Sequence, residues 1–394
     1  MKVYFDYSAT TPLSHEVLRA MTPYFCDTFG NADSVHSFGR DAAYALDEAR
    51  REVAKAINAK PKEIFFTSGG TESDNWALKG ISHANRDRGE RIVVSAIEHA
   101  AVLSAADQLQ KEGFEVVYLP VTNTGLVTPE TLEHVLKEKA ASLVSIMLAN
   151  NEIGTIQPIE NLAAIAHEHG ALFHTDAVQA IGSIPVDVKK LNVDALSLSA
   201  HKFYGPKGVG ALYVKSGTKI DKLIAGGHQE KSMRGGTSPV PQIVGLGKAI
   251  TLATGNMTEN AAKIKKLRDF FVTKVKQELP FAVYNGEKEL RLPQNANFTF
   301  PFTEGDALVM ALDIAGIACS SGAACSSGSL EPSHVMKAIG YSDIDAKRSV
   351  RFSFGKDNTE EEVDYVIKKL VELSRTLPET NSLIANTEQN TKRV

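Results

Sequence analysis

Short, nearly continuous apolar runs alternate along this chain with segments whose apolar positions recur every three or four residues. The runs Ile64–Thr67, Arg91–Ala96, Val116–Leu119, Leu143–Leu148, Ala171–Thr175, Ala195–Leu198 and Gly210–Val214 read as strands. A strand open to water on one side alternates apolar with polar residues, so these are strands buried on both faces. Between them lie helical patterns. Phe38, Ala42, Leu46, Ala49, Val53 and Ile57 form one stripe inside a mostly helical stretch from Ser14 to about Ala59. Others run through Trp76 and Leu78, and from Ala101 to Lys111 before Gly113. The clearest, Pro158 to His169, has proline at its start and Gly170 just past its end. This alternation predicts an α/β fold over residues 12–250, a mostly parallel sheet covered by helices. A long helix from Asn260 to Leu279 and shorter strands at Asn297–Phe300 and Val350–Phe354 then predict a smaller α+β domain, residues 251–377, which residues 1–11 join. Residues 378–394 are polar and read as a mobile tail.

Composition narrows the class. With 394 residues and a prior of about 150 per domain, two to three domains are expected. A hydrophobic share of 43% with 23% charged residues suits a soluble globular protein with a large core. The formal net charge is -4 and the basic residues are dispersed, which argues against direct nucleic-acid binding. No apolar run approaches the ~18 residues that span a bilayer, so no membrane partner is expected. Three cysteines, Cys26, Cys319 and Cys325, fit a reducing cytoplasm and not a disulfide framework.

Candidate chemistry gathers at strand ends, where an open parallel sheet places its ligands. Ser197 to Gly208 carries Lys202 just beyond a strand, with Ser199 and His201 beside it. An ammonium in a packed crevice is costly, and a Schiff base is one use that removes the problem. Gly69-Gly70-Thr71 opens a helix after another strand, a shape that suits a phosphate. His99, Asn150, Asp176 and Gln179 follow three further strands. Each alone has an ordinary reading: an exposed loop lysine, a plain turn, a satisfied polar residue, a helix cap. Together they match pyridoxal 5'-phosphate, which needs a phosphate cradle, an acid for its ring nitrogen, an imidazole against its face and a lysine for its aldehyde. Gly208-Val209-Gly210 lacks the third glycine of a dinucleotide motif, and Gly205-Pro206-Lys207-Gly208 is not a nucleotide-binding P-loop.

A second signal is the Ser/Gly/Ala-rich stretch Cys319 to Leu330. Its Cys325 is a nucleophile candidate, because only an accessible thiolate attacks. No intrinsic metal site is expected, since a two-cysteine pair separated by five residues lacks a second pair. Cys319 and Cys26 read as packed small residues. Arg351, alternating with apolar neighbours, is a candidate partner for a substrate carboxylate, a structural ion pair being the alternative.

These residues resemble a known family. Asp6 to Pro12, His36 to Arg40, Ser68 to Asn75, Asn150 to Gly154, His174 to Gln179, Ser199 to Gly208, Met233 to Thr237 and Ser320 to His334 are similar to motifs of the cysteine desulfurases. These are fold type I pyridoxal-phosphate enzymes of the class V aminotransferase group, here the NifS/IscS-like branch. The likeness runs from about Val3 to about Leu373. It implies Lys202 as the Schiff-base lysine, Asp176 as partner of the ring nitrogen, His99 as stacking residue and proton carrier, and Gln179 as donor to the ring hydroxyl. Gly70, Thr71, Ser199 and His201 would hold the phosphate, and Thr237 would reach the phosphate of the neighbouring subunit in a homodimer. Asn150 would serve cofactor and substrate, with Arg351 also on the substrate carboxylate. L-cysteine would become L-alanine, with its sulfur held as a persulfide on Cys325. The acceptor would be an iron–sulfur scaffold or a tRNA-thiolation enzyme, and Cys325 could be a transient iron–sulfur ligand. The glycine-rich stretch departs modestly from the family pattern, as does Ala323, and the C-terminal stretch does not match the family's scaffold-docking tail, which leaves the acceptor open. Selenocysteine lyase, another class V aminotransferase, and a catalytically idle sulfur-transfer module are the rival readings.

Overall fold

The computed structural model describes residues 1–321 and 331–391, with side chains as far as residue 377. Its strands are β1 (Val3–Tyr4), β2 (Ile64–Thr67), β3 (Arg91–Ser95), β4 (Glu115–Leu119), β5 (Ala141–Ser145), β6 (Leu172–Asp176), β7 (Ala195–Ser199) and β8 (Gly210–Val214). Then come β9 (Val283–Tyr284), β10 (Asn295–Thr299), β11 (Ile317–Ala318), β12 (Ser320–Ser321) and β13 (Ser349–Ser353). Seven of them form one sheet in the order β2-β8-β7-β6-β5-β3-β4. Only β8 is antiparallel to its neighbours, β2 and β7, so the other six point their C-terminal ends to one edge.

Both faces of this sheet are covered, which is why its strands are apolar throughout. Successive residues serve opposite cores: Val93, Phe173 and Leu196 face one, while Ile92, Val94 and Leu172 face the other with Trp76, Leu78 and Ile81 of the helix Gly70–Ala84. The run expected at Leu143–Leu148 leaves regular strand at Ser145. Ile146 and Leu148 still donate backbone hydrogen bonds to His174 and Asp176, so the apolar residues stay buried along β6 after regular pairing ends. The helical stretch from Ser14 separates into His15–Met21, Pro23–Cys26 and Ser37–Ala56. Gly30-Asn31-Ala32-Asp33 falls in the gap, where turn-forming residues break the helical period. Phe38, counted in the apolar stripe, is exposed at the start of the third helix. Cys26, expected to pack inside, is also exposed.

The remaining strands build a four-stranded antiparallel sheet, β12-β13-β10-β9. Beside it β1 pairs in parallel with β11, and Asp6 bridges to Ser353. The first residues of the chain thus sit against strands more than 300 positions later. Phe5, Phe271, Phe298, Phe300, Phe352 and Phe354 fill this second core, with the Phe271 ring 4.9 Å from Phe352 and 5.4 Å from Phe354. Long helices, Met257–Glu278 and Glu360–Thr391, flank it. The last helix continues as far as Thr391 through most of the stretch whose composition suggested a tail; residues 392–394 lie outside the described residues. Phe271→Ala should destabilise this domain by about 3–5 kcal/mol, the usual cost of emptying an aromatic site, read as a fall in the urea midpoint.

Candidate functional site

The shared edge of the parallel strands opens into a cavity of about 370 Å³. Gly70, Thr71, His99, Asp176, Gln179, Ser199, His201, Lys202 and Arg351 all line it, joined by Ser8, Asp74 and Asn151. Lys202 follows β7 by one short turn, Ala200–Lys202. Its ammonium donates to the carbonyl oxygens of Ser8 at 2.6 Å and Ala9 at 2.7 Å. Gln179 Nε2 donates to the same Ser8 oxygen at 2.9 Å. The N-terminal segment therefore forms one wall, and backbone dipoles supply the partners a half-buried cation needs.

At the other end, Gly69 opens the helix Gly70–Ala84 at φ 156°, a conformation reserved for glycine. A Cβ on Gly70 would come within 2.8 Å of Val178 Cγ2 and 3.7 Å of Ser199 Cβ, so the backbone is drawn tight against the cavity wall. No side chain caps this helix, and its first N–H groups form a cradle for an anion. His201 joins the cradle, its Nδ1 3.1 Å from Thr10 Oγ1. Burial and the nearby Lys202 charge push its pKa down to about 4, so it is a neutral hydrogen-bonding ring at neutral pH.

Asp176 ends β6 as a buried carboxyl whose Oδ1 accepts from the Val178 N–H at 2.8 Å. Burial raises its pKa, and the charges of His99 and Lys202 pull against that rise. His99 caps the helix Ala100–Lys111, its Nδ1 accepting from Ala101 N–H at 3.1 Å. That bond makes Nε2 the proton-bearing nitrogen of the neutral ring. Arg351, on β13, donates to Asp6 Oδ1 and to the Asn151 carbonyl, each at 2.9 Å. Its Nε is buried without a hydrogen-bond partner. The ion pair of the structural reading is present, and Arg351 also lines the cavity.

Two expected site residues are placed differently. Asn150 is fully buried, with its amide donating to the Ile97 carbonyl at 2.9 Å and its Oδ1 accepting from Glu152 and Ile153 N–H groups. It shapes the turn, and the neighbouring Asn151 lines the cavity. A turn closed by an Asx side chain consumes that side chain. Thr237 is exposed and does not line the cavity of its own chain. Cys319 is buried, and burial pushes its thiol far above the ordinary range, with the Asp6 charge adding to the rise, so it is inert. Cys325 lies outside the described residues. Both flanks of its segment are tied to the cavity walls: Ser320 pairs with Arg351, and His334 Nε2 lies 2.9 Å from the carbonyl oxygen of Glu98, next to His99.

Sequence reasoning missed Asp6, Ser8, Ala9 and Asp74. The first three act through pairing or backbone oxygen, which no local pattern reports. Asp74 did leave a trace, because a carboxyl at i−3 and i−4 from Ala77 and Leu78 interrupts the apolar stripe of its helix.

Comparison with known proteins places this geometry. The aminotransferase class-V family model matches residues 3–366. The cysteine desulfurase IscS of Dictyoglomus turgidum is 50% identical over 379 residues, covering 95% of this chain and 96% of that protein. A solved NifS-like protein superposes with a TM-score of 0.89 at 41% identity, over 95% of this chain and 99% of that one. A structure described as SspA in complex with cysteine superposes with a TM-score of 0.79 at 36% identity, over 91% and 100%. Agreement over nearly the whole length, with the ends of β2, β3, β5, β6 and β7 contributing to one cavity, shows that the chain belongs to the class-V aminotransferase family, on its IscS- and NifS-like branch.

Proposed function

We propose that this protein is a pyridoxal-phosphate-dependent cysteine desulfurase, which converts L-cysteine to L-alanine and holds the sulfur as a persulfide on Cys325. The observation that carries the reading is one cavity lined by Lys202, the buried Asp176 carboxyl and Arg351. The residues fit the cofactor. The tight glycine cradle at Gly70, with Thr71, Ser199 and His201, suits its phosphate, and Asp176 suits its ring nitrogen. Gln179 stands beside the lysine for the ring hydroxyl. When bound, pyridoxal phosphate supplies an aldehyde that takes up amines and a ring that delocalises the electron pair left at a substrate carbon.

The chain's own groups do the rest. The Ser8 and Ala9 carbonyls hold the Lys202 amine at the cavity wall. The Lys202 Nζ, once neutral, can take the substrate Cα proton, and the Nε2–H of His99 can give a proton back. Arg351, braced by Asp6 and Asn151 and lining the cavity, serves as the guanidinium partner of a substrate carboxylate. Cys325 accepts the sulfur: an S–S bond forms as the substrate Cβ–S bond breaks, and the three-carbon skeleton takes up a proton and leaves as alanine. Cys325 is four residues beyond Ser321, a reach of on the order of 14 Å in extended chain, and Ser320 pairs with Arg351 itself. That tether supports delivery of the thiol to the cavity.

The finer assignments belong to the same proposal. The protein acts as a cytoplasmic homodimer, with Thr237 of each copy turned to the other's phosphate, and passes sulfur to an acceptor protein of iron–sulfur assembly or tRNA thiolation. Among the described residues no helix is long and apolar enough to cross a membrane.

Two substitutions separate the roles. Lys202→Ala should purify without the yellow colour of bound cofactor and lose at least about a thousandfold in rate, the scale of a removed acid–base group. Cys325→Ser should stay yellow and release no sulfide from L-cysteine; full sulfide release would refute the nucleophile. Arg351→Ala should raise KM for L-cysteine by about tenfold or more, the value of a lost charge-assisted contact, with the cofactor still bound.

A further inference from the structure

Asp74 lines the cavity and is 1% exposed, and its Oδ1 has no hydrogen-bond partner. It lies four residues into the helix Gly70–Ala84, on the face that packs against the sheet. Beneath it three strands place polar residues side by side. Ser145 on β5 is registered with His174 on β6, and Ser197 on β7 is registered with Asp176. His174 and Asp176 are two apart on one strand, so both point to the sheet face that this helix covers.

The side chains form a hydrogen-bonded chain. Ser145 Oγ is 2.8 Å from His174 Nδ1, and His174 Nε2 is 3.0 Å from Ser197 Oγ. Burial pushes the His174 pKa down to about 3, so the ring is neutral and has one N–H to give. A neutral ring gives one N–H and accepts one hydrogen bond, so His174 links Ser145 to Ser197, and Ser197 in turn is a hydrogen-bond partner of the Asp74 carboxyl. His174 Nε2 lies 3.7 Å from Asp74 Oδ1, beyond hydrogen-bond range.

The groups facing Asp74 are His174 and Asp176 on β6 and Glu98 in the turn after β3, with His99 and Lys202 around the same cavity. None of those in direct reach is a cation. Burial first, and the Asp176 charge second, raise the Asp74 pKa well above the usual carboxylate range. Asp176 by contrast has His99, Lys202 and a backbone N–H lowering its own. Glu98, fully buried, is pushed up to about 8 by that burial, against the Ser95 hydroxyl and Met147 N–H that donate to it.

We propose that Asp74 is a positioning residue: held uncharged at the end of the Ser145–His174–Ser197 chain, it confines the negative charge of this buried carboxyl group of residues to Asp176. Two carboxylates at this depth would repel each other and share the proton needed at the ring nitrogen. A protonated Asp74 gives the helix a polar contact to the strands without a second charge. The inference rests on the pyridoxal-phosphate reading above.

The test is a pH titration of the visible absorption band of the cofactor-loaded protein, with Asp74→Asn, Asp74→Leu and Asp176→Asn variants. A neutral Asp74 is mimicked by asparagine, so the midpoint for Asp74→Asn should stay within about half a pH unit of the native protein, and cofactor release should stay within about threefold. Asp176→Asn should lower the midpoint by about one unit or more, because it removes the charge that favours the protonated cofactor. Asp74→Leu, with no polar contact for Ser197, should release cofactor about tenfold faster. A midpoint lowered by about one unit in Asp74→Asn would show that Asp74 carries charge and overturns the proposal. Release from Asp74→Leu that matches the native protein overturns the positioning role; if that variant does not fold, the Asp74→Asn titration decides alone. A native protein that takes up no pyridoxal phosphate and shows no band sinks the function proposed above, a result distinct from either outcome here.

Discussion

The contact on which the cavity depends is the Lys202 ammonium seated on the carbonyl oxygens of Ser8 and Ala9. A cation at a strand end needs partners, and two carbonyl dipoles of the N-terminal segment supply some of them. The same short segment binds the rest of the site. Ser8 also accepts from Gln179, Asp6 holds Arg351, and β1 just before it pairs with β11. Residues 3–9 thus connect the strand ends of the large sheet to the smaller antiparallel sheet, and the cavity lies where they meet.

Electrostatics around that seat are governed by burial. Desolvation is the largest influence on Asp74, Glu98, Asp176, His174 and His201, raising the acids and lowering the imidazoles. Each shift favours the uncharged form, so the site holds many titratable groups and few charges. The charges that persist are those with partners: Lys202 with its carbonyls, Arg351 with Asp6, and Asp176, where His99, the Val178 N–H and Lys202 oppose the effect of burial. Perturbed groups concentrated in one cleft mark chemistry more often than structure. Here they surround a glycine cradle and a lysine, an arrangement that serves an anionic cofactor with an aldehyde.

Most of the framework was legible in the chain. The seven apolar runs correspond to strands of one sheet, and their burial on both faces explains the missing alternation. Lys202, Asp176, His99, Gln179, Ser199 and Gly70 could be found because parallel strands deliver their ends to a common edge. The failures have physical causes. Asn150 and Asn151 are adjacent and chemically alike, and only the turn geometry decides which one closes on itself. The stretch from 378 on lacks apolar periodicity, yet the backbone continues a helix begun by Val363, Val366 and Leu370 against the second core.

What the sequence determined by itself was the list of strands and helices and which of their ends bear reactive side chains. These follow from period, propensity and turn chemistry, all of which act over a few residues. What only the tertiary structure decided was the wall opposite them: Asp6, Ser8 and Ala9 against Arg351 and Lys202, and Asp74 above His174 and Ser197. Those meetings join positions from 100 to 345 apart, and a carbonyl oxygen or a buried neutral acid leaves no periodic mark at such range. The reason is that local pattern encodes which face of an element is apolar, whereas the polarity of a cavity depends on which distant faces are packed together.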